Sequence, residues 1–287
     1  MAFAALGLIW GVPYFLIKIA LQELSPLVVA WGRLAVAALI LLPVAWQRGA
    51  LHANNGHWGA ISAFALVEFV VPFAAISLGE RWISSSVTGI LIALVPLTVV
   101  LISRYFALHE PLSFWRGFGL AVGLLGVVVL LGFGTVSGPL AWAGVVCMLL
   151  AAVGYATGPL IVQRHMTGLD SLGPVAASVG VATLVLAVPA ALSWPRQLPG
   201  AAVLGAVLVL GAVCTAVAML LMVYLIRNAG AARASVITYI NPAVATLLGV
   251  IVLHEHLGIS GVLAFALILL GSWLSTRAGS GARMAPA

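Results

Sequence analysis

Two charged side chains interrupt segments that are otherwise apolar, and this makes them the first candidates for binding chemistry. Arg33 and Glu68 each lie well inside such a segment. A charge placed centrally in a membrane span costs roughly 2.5–3.5 kcal/mol on insertion scales, so its presence needs a reason. Either side chain could bind the carboxylate or the ammonium of a zwitterionic ligand, and Glu68 could alternatively carry a proton. The structural alternative is an Arg33–Glu68 ion pair that locks two neighbouring helices together.

Four aromatic side chains and one amide could line a binding site with these charges. Trp10 and Tyr14 are four residues apart and would share one face of a helix. Tyr155 and Tyr239 lie in the middle of apolar segments, where a phenol hydroxyl needs a polar partner, and so does the amide of Asn241. Together they predict a cavity for an aromatic or ammonium-bearing ligand. Ordinary helix packing would explain any single one of them.

Four prolines at two matched places predict bends in the helices that carry these residues. A helical proline removes one backbone hydrogen bond and frees the carbonyl four residues earlier. In lipid such a carbonyl is tolerated only where protein or cavity water satisfies it. The alternative is a set of static kinks that fill a bundle. The predicted hinges or kinks are Pro13, Pro96, Pro159 and Pro242.

Composition places these segments in a lipid bilayer. Apolar residues make up 64% of the 287 positions and charged residues only 6%, which is too little charge for a soluble domain. The 12 Lys and Arg outnumber the 6 Asp and Glu, but they form no basic cluster, so nucleic acid is not an expected partner. Cys147 and Cys214 fall in apolar segments and are interpreted as small buried hydrophobes.

The apolar stretches predict an all-α membrane protein with ten transmembrane helices. Spanning needs roughly 20 apolar residues, and most arginines fall on one side of the membrane if both termini are cytoplasmic. The tail at 278–287 has no periodicity and is expected to be disordered. The predicted spans are about 2–21, 27–46, 58–78, 83–104, 114–133, 139–163, 172–194, 200–226, 232–253 and 259–276.

The first half of the chain recurs faintly in the second half, about 146 residues later. Each repeat would hold five helices, and because five is odd the second repeat must cross the membrane in the opposite direction. Arg33 and Glu68 have no charged counterparts, since Val179 and Cys214 occupy their positions. The symmetry is therefore broken where the chemistry is expected. The matched pairs include Pro13 with Pro159, Lys18 with Arg164, Pro43 with Pro189 and Pro96 with Pro242.

Two stretches that run from a proline through Leu-His-Glu to a glycine, at 96–126 and 242–271, resemble the paired EamA domains of the drug/metabolite transporter superfamily. The resemblance covers almost the whole chain, with the first five-helix repeat at 1–133 and the second, inverted repeat at 134–277. It implies a carrier with a central substrate cavity. Within the superfamily, the chain looks most similar to the YddG-type exporters of aromatic and other neutral amino acids.

From this resemblance we expect a secondary transporter that exports amino acids by alternating access, as a monomer in the bacterial inner membrane. The alternative substrate is another small metabolite or a cationic drug. Neither enzymatic activity nor a cofactor or metal is expected, because the sequence has no catalytic motif, nucleotide-binding loop or metal-spaced histidine cluster. An intramembrane enzyme would need ionisable residues gathered at one face, and a channel would need a continuous polar stripe.

Small-residue motifs and two glutamates have structural interpretations. Gly-x-x-x-Gly at 7–11, 119–123 and 154–158 permits close helix contact and is interpreted as packing within the chain. Glu110 and Glu255 lie just before a following helix. For them, capping a helix N-terminus is favoured over contact with a substrate.

Overall fold

The computed structural model describes residues 2–103, 114–132, 138–229 and 237–277, and these form helices and turns without a β-strand. Seven helical stretches are long and apolar enough to cross a membrane, and three shorter apolar helices accompany them. The chain is thus a multi-pass helical membrane protein, whereas the count of ten crossings and the cytoplasmic termini stay predictions. The seven stretches are Pro26–Gln47, Trp58–Gly79, Ser85–Ile102, Phe114–Gly132, Ala141–His165, Leu172–Leu192 and Ala201–Leu225, and the shorter ones are Ala4–Ala20, Ile240–Ile251 and Ile259–Ser275.

Several spans consist of more than one helical segment. The predicted tail lies outside the described residues, and so does Glu110. In chain order the α-helices are α1 (Ala2–Gly11), α2 (Pro13–Ala20), α3 (Pro26–Gln47), α4 (Trp58–Phe64), α5 (Val71–Gly79), α6 (Ser85–Ile92), α7 (Val95–Ser103), α8 (Phe114–Gly132), α9 (Ala141–His165), α10 (Leu172–Leu192), α11 (Ala201–Gly211), α12 (Ala218–Ala229), α13 (Ile237–Ile251) and α14 (Ile259–Arg277).

Of the four predicted hinge prolines, the two in the first repeat coincide with breaks in their helices, and the two in the second repeat do not. Helix α2 begins at Pro13, immediately after a break, and α7 begins one residue before Pro96, after a short turn. Pro159 and Pro242 lie inside the continuous helices α9 and α13. Each proline still removes one backbone hydrogen bond. A predicted hinge is therefore marked by a helix break at two of the four positions, and the hinge motion itself stays a prediction.

Two π-helical turns, which the sequence did not predict, lie in the middle of equivalent spans. Ala65–Val70 joins α4 to α5, and Ala212–Val217 joins α11 to α12. The second turn begins within one residue of the position that the offset of about 146 residues between the repeats predicts. Turns of this kind are rare and are often found at functional sites. Glu68 lies on the first turn, and Cys214, its counterpart, lies on the second.

Equivalent spans of the two halves pack against each other: α8 on α14, α3 on α10, and α6, the first part of the span Ser85–Ile102, on α13. The small-residue motifs lie at close helix contacts within the chain, and the motif at 119–123 lies between two equivalent helices. A Cβ on Gly119 would lie 2.7 Å from the carbonyl oxygen of Gly271, and one on Gly154 would overlap the carbonyl oxygen of Val67. The motif at 7–11 packs in the same way on α13. Each motif therefore lets two helices approach closely.

Contacts at both ends of α3 show that α3 and α10 run antiparallel. Near the start of α3, the Ser25 hydroxyl donates to Ser193 Oγ at the end of α10 (3.0 Å). Beyond the other end of α3, the Asn54 side-chain amide donates to the Gly173 carbonyl at the start of α10 (3.2 Å). Equivalent helices of the two repeats therefore point in opposite directions at this contact.

We expect Gly119→Ala to lower the free energy of unfolding by about 1–3 kcal/mol, because the new methyl group meets backbone atoms of α14. Gly117→Ala on the same helix is the matched control, since no heavy atom lies within 4 Å of the position of its Cβ. Thermal unfolding of both purified variants in detergent measures the difference. Equal melting temperatures for the two variants would contradict the α8–α14 contact.

Candidate substrate-binding site

Arg33 is buried between the two halves of the chain, where its guanidinium contacts the second π-helical turn. Its Nε donates to Thr215 Oγ1 at 2.7 Å, and its Nη2 donates to the carbonyl of Cys214 at 3.4 Å. Its Cζ lies 3.8 Å from the ring centroid of Phe73, a cation–π distance. With 7% of its surface exposed, Arg33 is held by a hydroxyl, a carbonyl and an aromatic face.

The direct Arg33–Glu68 ion pair, which was the structural alternative to ligand binding, is not formed. Both residues are described, and the structure brings no carboxylate of the described chain within ion-pair distance of Arg33. The two residues lie at similar depths along neighbouring helices. Depth does not fix the direction in which a side chain leaves its helix, and Arg33 points to Thr215 on the other repeat instead.

Helix α3 can reach this position because a glycine lies opposite it. A Cβ on Gly211, the last residue of α11, would lie 2.7 Å from the carbonyl oxygen of Arg33. Thr215 is fixed in turn, since its hydroxyl donates to the carbonyl of Leu210 at 2.8 Å. The position of the guanidinium is thus set by the close approach of α3 to Gly211 and by the hydrogen bond that fixes the Thr215 hydroxyl.

Two tyrosines lie near this guanidinium, and an asparagine contacts one of them. The sequence predicted that all three line one site. Tyr14 is 5% exposed and shares a side-chain hydrogen bond with Asn241. Tyr14 and Tyr155 both lie within electrostatic range of Arg33. Tyr155 also lies within range of Glu68. Side chains from the two repeats therefore meet around Tyr155, with a positive group and a negative group near it.

Glu68 and Asn241 each present a buried acceptor atom that has no partner among the described residues, namely Glu68 Oε2 and Asn241 Oδ1. Glu68 Oε2 lies against the position that a Cβ on Gly158 would occupy. Gly158 is next to Pro159, so the carboxylate faces the part of α9 that contains this proline. A buried acceptor without a donor costs free energy. Both atoms could accept hydrogen bonds from a ligand that carries N–H groups.

Trp10 and Tyr239 are not placed in this cluster. Trp10 packs against Leu6, Ala218 and Leu225, while Tyr14 belongs to the central core. The two side chains pack in different clusters. Their common face stays a prediction, because Val12, at the break between α1 and α2, keeps helical φ and ψ. The side chain of Tyr239 lies outside the described part of the chain, so its predicted role stays a prediction.

Sequence reasoning missed the residues that position Arg33. Thr215 and Phe73 were not singled out, because a threonine and a phenylalanine are ordinary residues in an apolar helix. One signal for Thr215 was present, since it follows Cys214, the counterpart of Glu68. The glycine at 158 was assigned to packing, and the structure adds that it leaves room for the Glu68 carboxylate.

Fold and site together define a multi-pass helical membrane protein with a charged cluster in mid-span. Residues 1–132 and 142–277 each match the EamA-like transporter family, and the chain belongs to this family. Over 285 residues it is 28% identical to YedA of Escherichia coli K12, named an uncharacterized inner membrane transporter, with 95% of this chain and 91% of that protein covered.

Other comparisons agree with the family and the fold. Over 279 residues the chain is 24% identical to YoaV of Bacillus subtilis, named an uncharacterized transporter, with 94% of this chain and 93% of that protein covered. One solved crystal structure superposes with a TM-score of 0.71 at 20% identity and covers 97% of both chains. That likeness shows the fold alone.

We expect Thr215→Val to lower the free energy of unfolding by about 1.5–3 kcal/mol, because it leaves the buried Arg33 Nε without its acceptor. Thr183→Val is the matched control, since the Thr183 hydroxyl bonds to Val179 on its own helix. Denaturation of both variants in detergent provides the measurement. If the two variants lose equal stability, Thr215 does not hold Arg33.

Proposed function

We propose that this protein is a secondary transporter that exports aromatic and other neutral amino acids across the inner membrane of a bacterial cell. The observation that carries the proposal is the cluster around Arg33, in which Tyr14, Tyr155 and Asn241 from both repeats meet in mid-span. A buried cation costs several kcal/mol in a bilayer, which is a reason to expect that it serves binding.

The cluster supports a zwitterionic substrate because it offers opposite charges at different places. The Arg33 guanidinium has further N–H donors beyond the two used by Thr215 and Cys214, and these suit a carboxylate. Glu68 Oε2 lacks a donor and suits an ammonium group. Tyr155 lies within electrostatic range of both groups, and its ring could contact the side chain of an aromatic amino acid.

Transport would proceed by alternating access between two inverted five-helix repeats, with ten crossings and both termini in the cytoplasm. The antiparallel arrangement of α3 and α10 supports the inversion, because these helices are equivalent in the two repeats. The broken helices at Pro13 and Pro96 would bend as the halves move. We further propose that the protein works as a monomer, without enzymatic activity, cofactor or nucleic-acid partner.

A cationic drug or another small metabolite is the second candidate substrate. The buried, unpartnered Glu68 carboxylate favours a cation even in the absence of a carboxylate on the ligand. The two candidates differ in their use of Arg33, which a cation without a carboxylate would not need. Substrates that differ only in one group can therefore separate them.

We expect proteoliposomes to show saturable flux of neutral amino acids. Arg33→Gln should reduce kcat/KM for these substrates by about tenfold to a hundredfold, because it removes a charged hydrogen bond to the carboxylate. Flux of the corresponding amines, which lack the carboxylate, should change much less. Arg48→Gln, which removes an exposed arginine, is the control. The amino-acid assignment fails if the folded protein transports no amino acid. The role of Arg33 in binding the carboxylate fails if Arg33→Gln reduces the flux of the amine and of the amino acid by the same factor.

Glu68→Gln tests whether this carboxyl carries a proton. In a coupled exporter, the variant should remain folded but lose transport driven by a pH gradient, because a glutamine cannot release a proton. Asp170→Asn is the control for loss of one acidic group, because Asp170 lies outside the spans and accepts from the nearby Leu172 N–H. The measurement compares flux with and without an imposed pH gradient. Unchanged pH-driven transport would remove Glu68 from the mechanism.

A further inference from the structure

The turn that joins α5 to α6, residues 80–84, is held from two sides by charged side chains of other helices. Lys18, near the end of α2, donates its ammonium protons to the carbonyl of Glu80 and to that of Ile83, the latter at 2.7 Å. These carbonyls follow the C-terminal end of α5, where a cation interacts favourably with the helix dipole. One side of the turn is therefore tied to the first span.

Glu255, in the connection between α13 and α14, holds the other side of this turn. Its Oε1 accepts from the backbone N–H of Ser85 (2.7 Å) and from the Ser85 hydroxyl (3.0 Å). Its Oε2 accepts from the backbone N–H of Ser86 (2.8 Å) and from the Ser86 hydroxyl (2.6 Å). Glu255 thus caps a helix N-terminus, as predicted. The helix is α6 of the other repeat, not the following helix α14, because the chain turns back after α13.

The backbone around Glu255 is shaped for this contact. The Glu255 N–H donates to the Gly249 carbonyl at 3.0 Å, and a Cβ on Gly249 would overlap Ser86 Oγ and Glu255 Oε2. His254 has φ of 54°, in the left-handed region that residues other than glycine seldom adopt. A glycine and a strained histidine therefore bring the carboxylate onto α6.

The turn itself carries a second carboxyl, that of Glu80, the first residue after the span that ends at Gly79. Glu80 is 1% exposed, and neither carboxyl oxygen has a hydrogen-bond partner within the described ranges. Burial raises the pKa of this carboxyl well above its ordinary value, Lys18 opposes the rise, and Glu255 adds to it. Tyr14 also lies within electrostatic range. Helix α9 packs on the neighbouring Gly79 through the uncharged Met148 and Cys147.

We propose that Lys18, Glu80 and Glu255 form a proton-sensitive gate that closes this end of the transporter. We call the bonds from Lys18 and Glu255 to the 80–86 segment the clamp. The proposal rests on alternating access, since a carrier must release such a clamp to open this end. It assigns Glu80 as a proton-binding site: the protonated carboxyl fits the closed clamp, and the charged carboxylate favours an opening that admits water.

The direction of the pH effect follows from linkage between proton binding and conformation. Glu80 has an ordinary pKa of about 4.5 when hydrated and a raised pKa when the clamp buries it. Between these two values the closed state binds more protons than the open state, so a rise in pH favours opening. Each pH unit in this window changes the ratio of closed to open protein by up to about tenfold.

A further contact between the repeats accompanies the clamp. The repeat counterpart of Lys18, Arg164, is exposed at the end of α9, and the counterpart of Glu255, Glu110, lies outside the described residues. At the clamp end, Glu23 Oε2 also accepts from the Gly200 N–H at 2.7 Å, which links the two halves near α11. The described contacts between repeats at this end thus include carboxylates bound to helix N-termini.

Hydrogen–deuterium exchange tests the gate directly, because the N–H groups of Ser85 and Ser86 are in the first turn of α6 and have no acceptor within that helix. Protection of both amides, normalised to the intrinsic rate at each pH, should fall as the pH rises from 5 to 8 in the wild-type protein. Glu80→Gln should show strong protection that no longer depends on pH. Glu255→Gln should lose most of the protection at every pH.

Ser84→Ala is the matched control, because Ser84 caps the same helix by accepting from the Val87 N–H at 3.2 Å without linking the repeats. It should expose Val87 and leave Ser85 and Ser86 protected. The gate is refuted if Glu80→Gln keeps the wild-type pH dependence, or if Glu255→Gln leaves exchange at Ser85 and Ser86 unchanged. The measurement uses no substrate, so a failed amino-acid assignment would not affect its outcome.

Discussion

An ionised guanidinium inside a bilayer must find its hydrogen-bond partners in the protein, and the central cluster depends on how Arg33 does so. Its partners, Thr215 and the Cys214 carbonyl, lie on the opposite repeat, so the charge joins the two halves of the chain. Removing either partner would leave a desolvated charge, which is far more costly than a lost surface contact. Movement between the halves must therefore carry these bonds along or exchange them for bonds to a ligand.

The two π-helical turns show how a duplicated scaffold holds chemistry that is not duplicated. Both repeats widen the equivalent helix at the equivalent place. One turn carries Glu68, and the other receives Arg33, whose own counterpart is the buried and neutral Val179. The backbone symmetry suits a rocking motion that exposes the same site to either side. In the proposed transport function, the charge asymmetry would give that site a direction, with one part for an anionic group and another for a cationic group.

Much of the architecture could be predicted, because in a membrane the rare residues carry most of the information. Hydropathy located the spans, and the glycine motifs were assigned correctly to packing within the chain. The alternative that failed concerns direction rather than depth: Arg33 bonds to Thr215 on the other repeat and does not pair with Glu68. The sequence predicted that Glu255 caps a helix N-terminus, but the helix that it caps, α6, lies far away in the sequence.

The sequence by itself determined that the chain is a multi-pass helical membrane protein, because apolar length and the cost of unsatisfied backbone in lipid leave few other solutions. It also determined which residues break the symmetry of the repeat. Only the tertiary structure decided that Thr215 holds Arg33, that a missing Cβ at Gly158 makes room for Glu68, and that Lys18 and Glu255 grip one turn. These contacts depend on helix rotation and on approach between distant segments, which hydropathy and spacing do not encode.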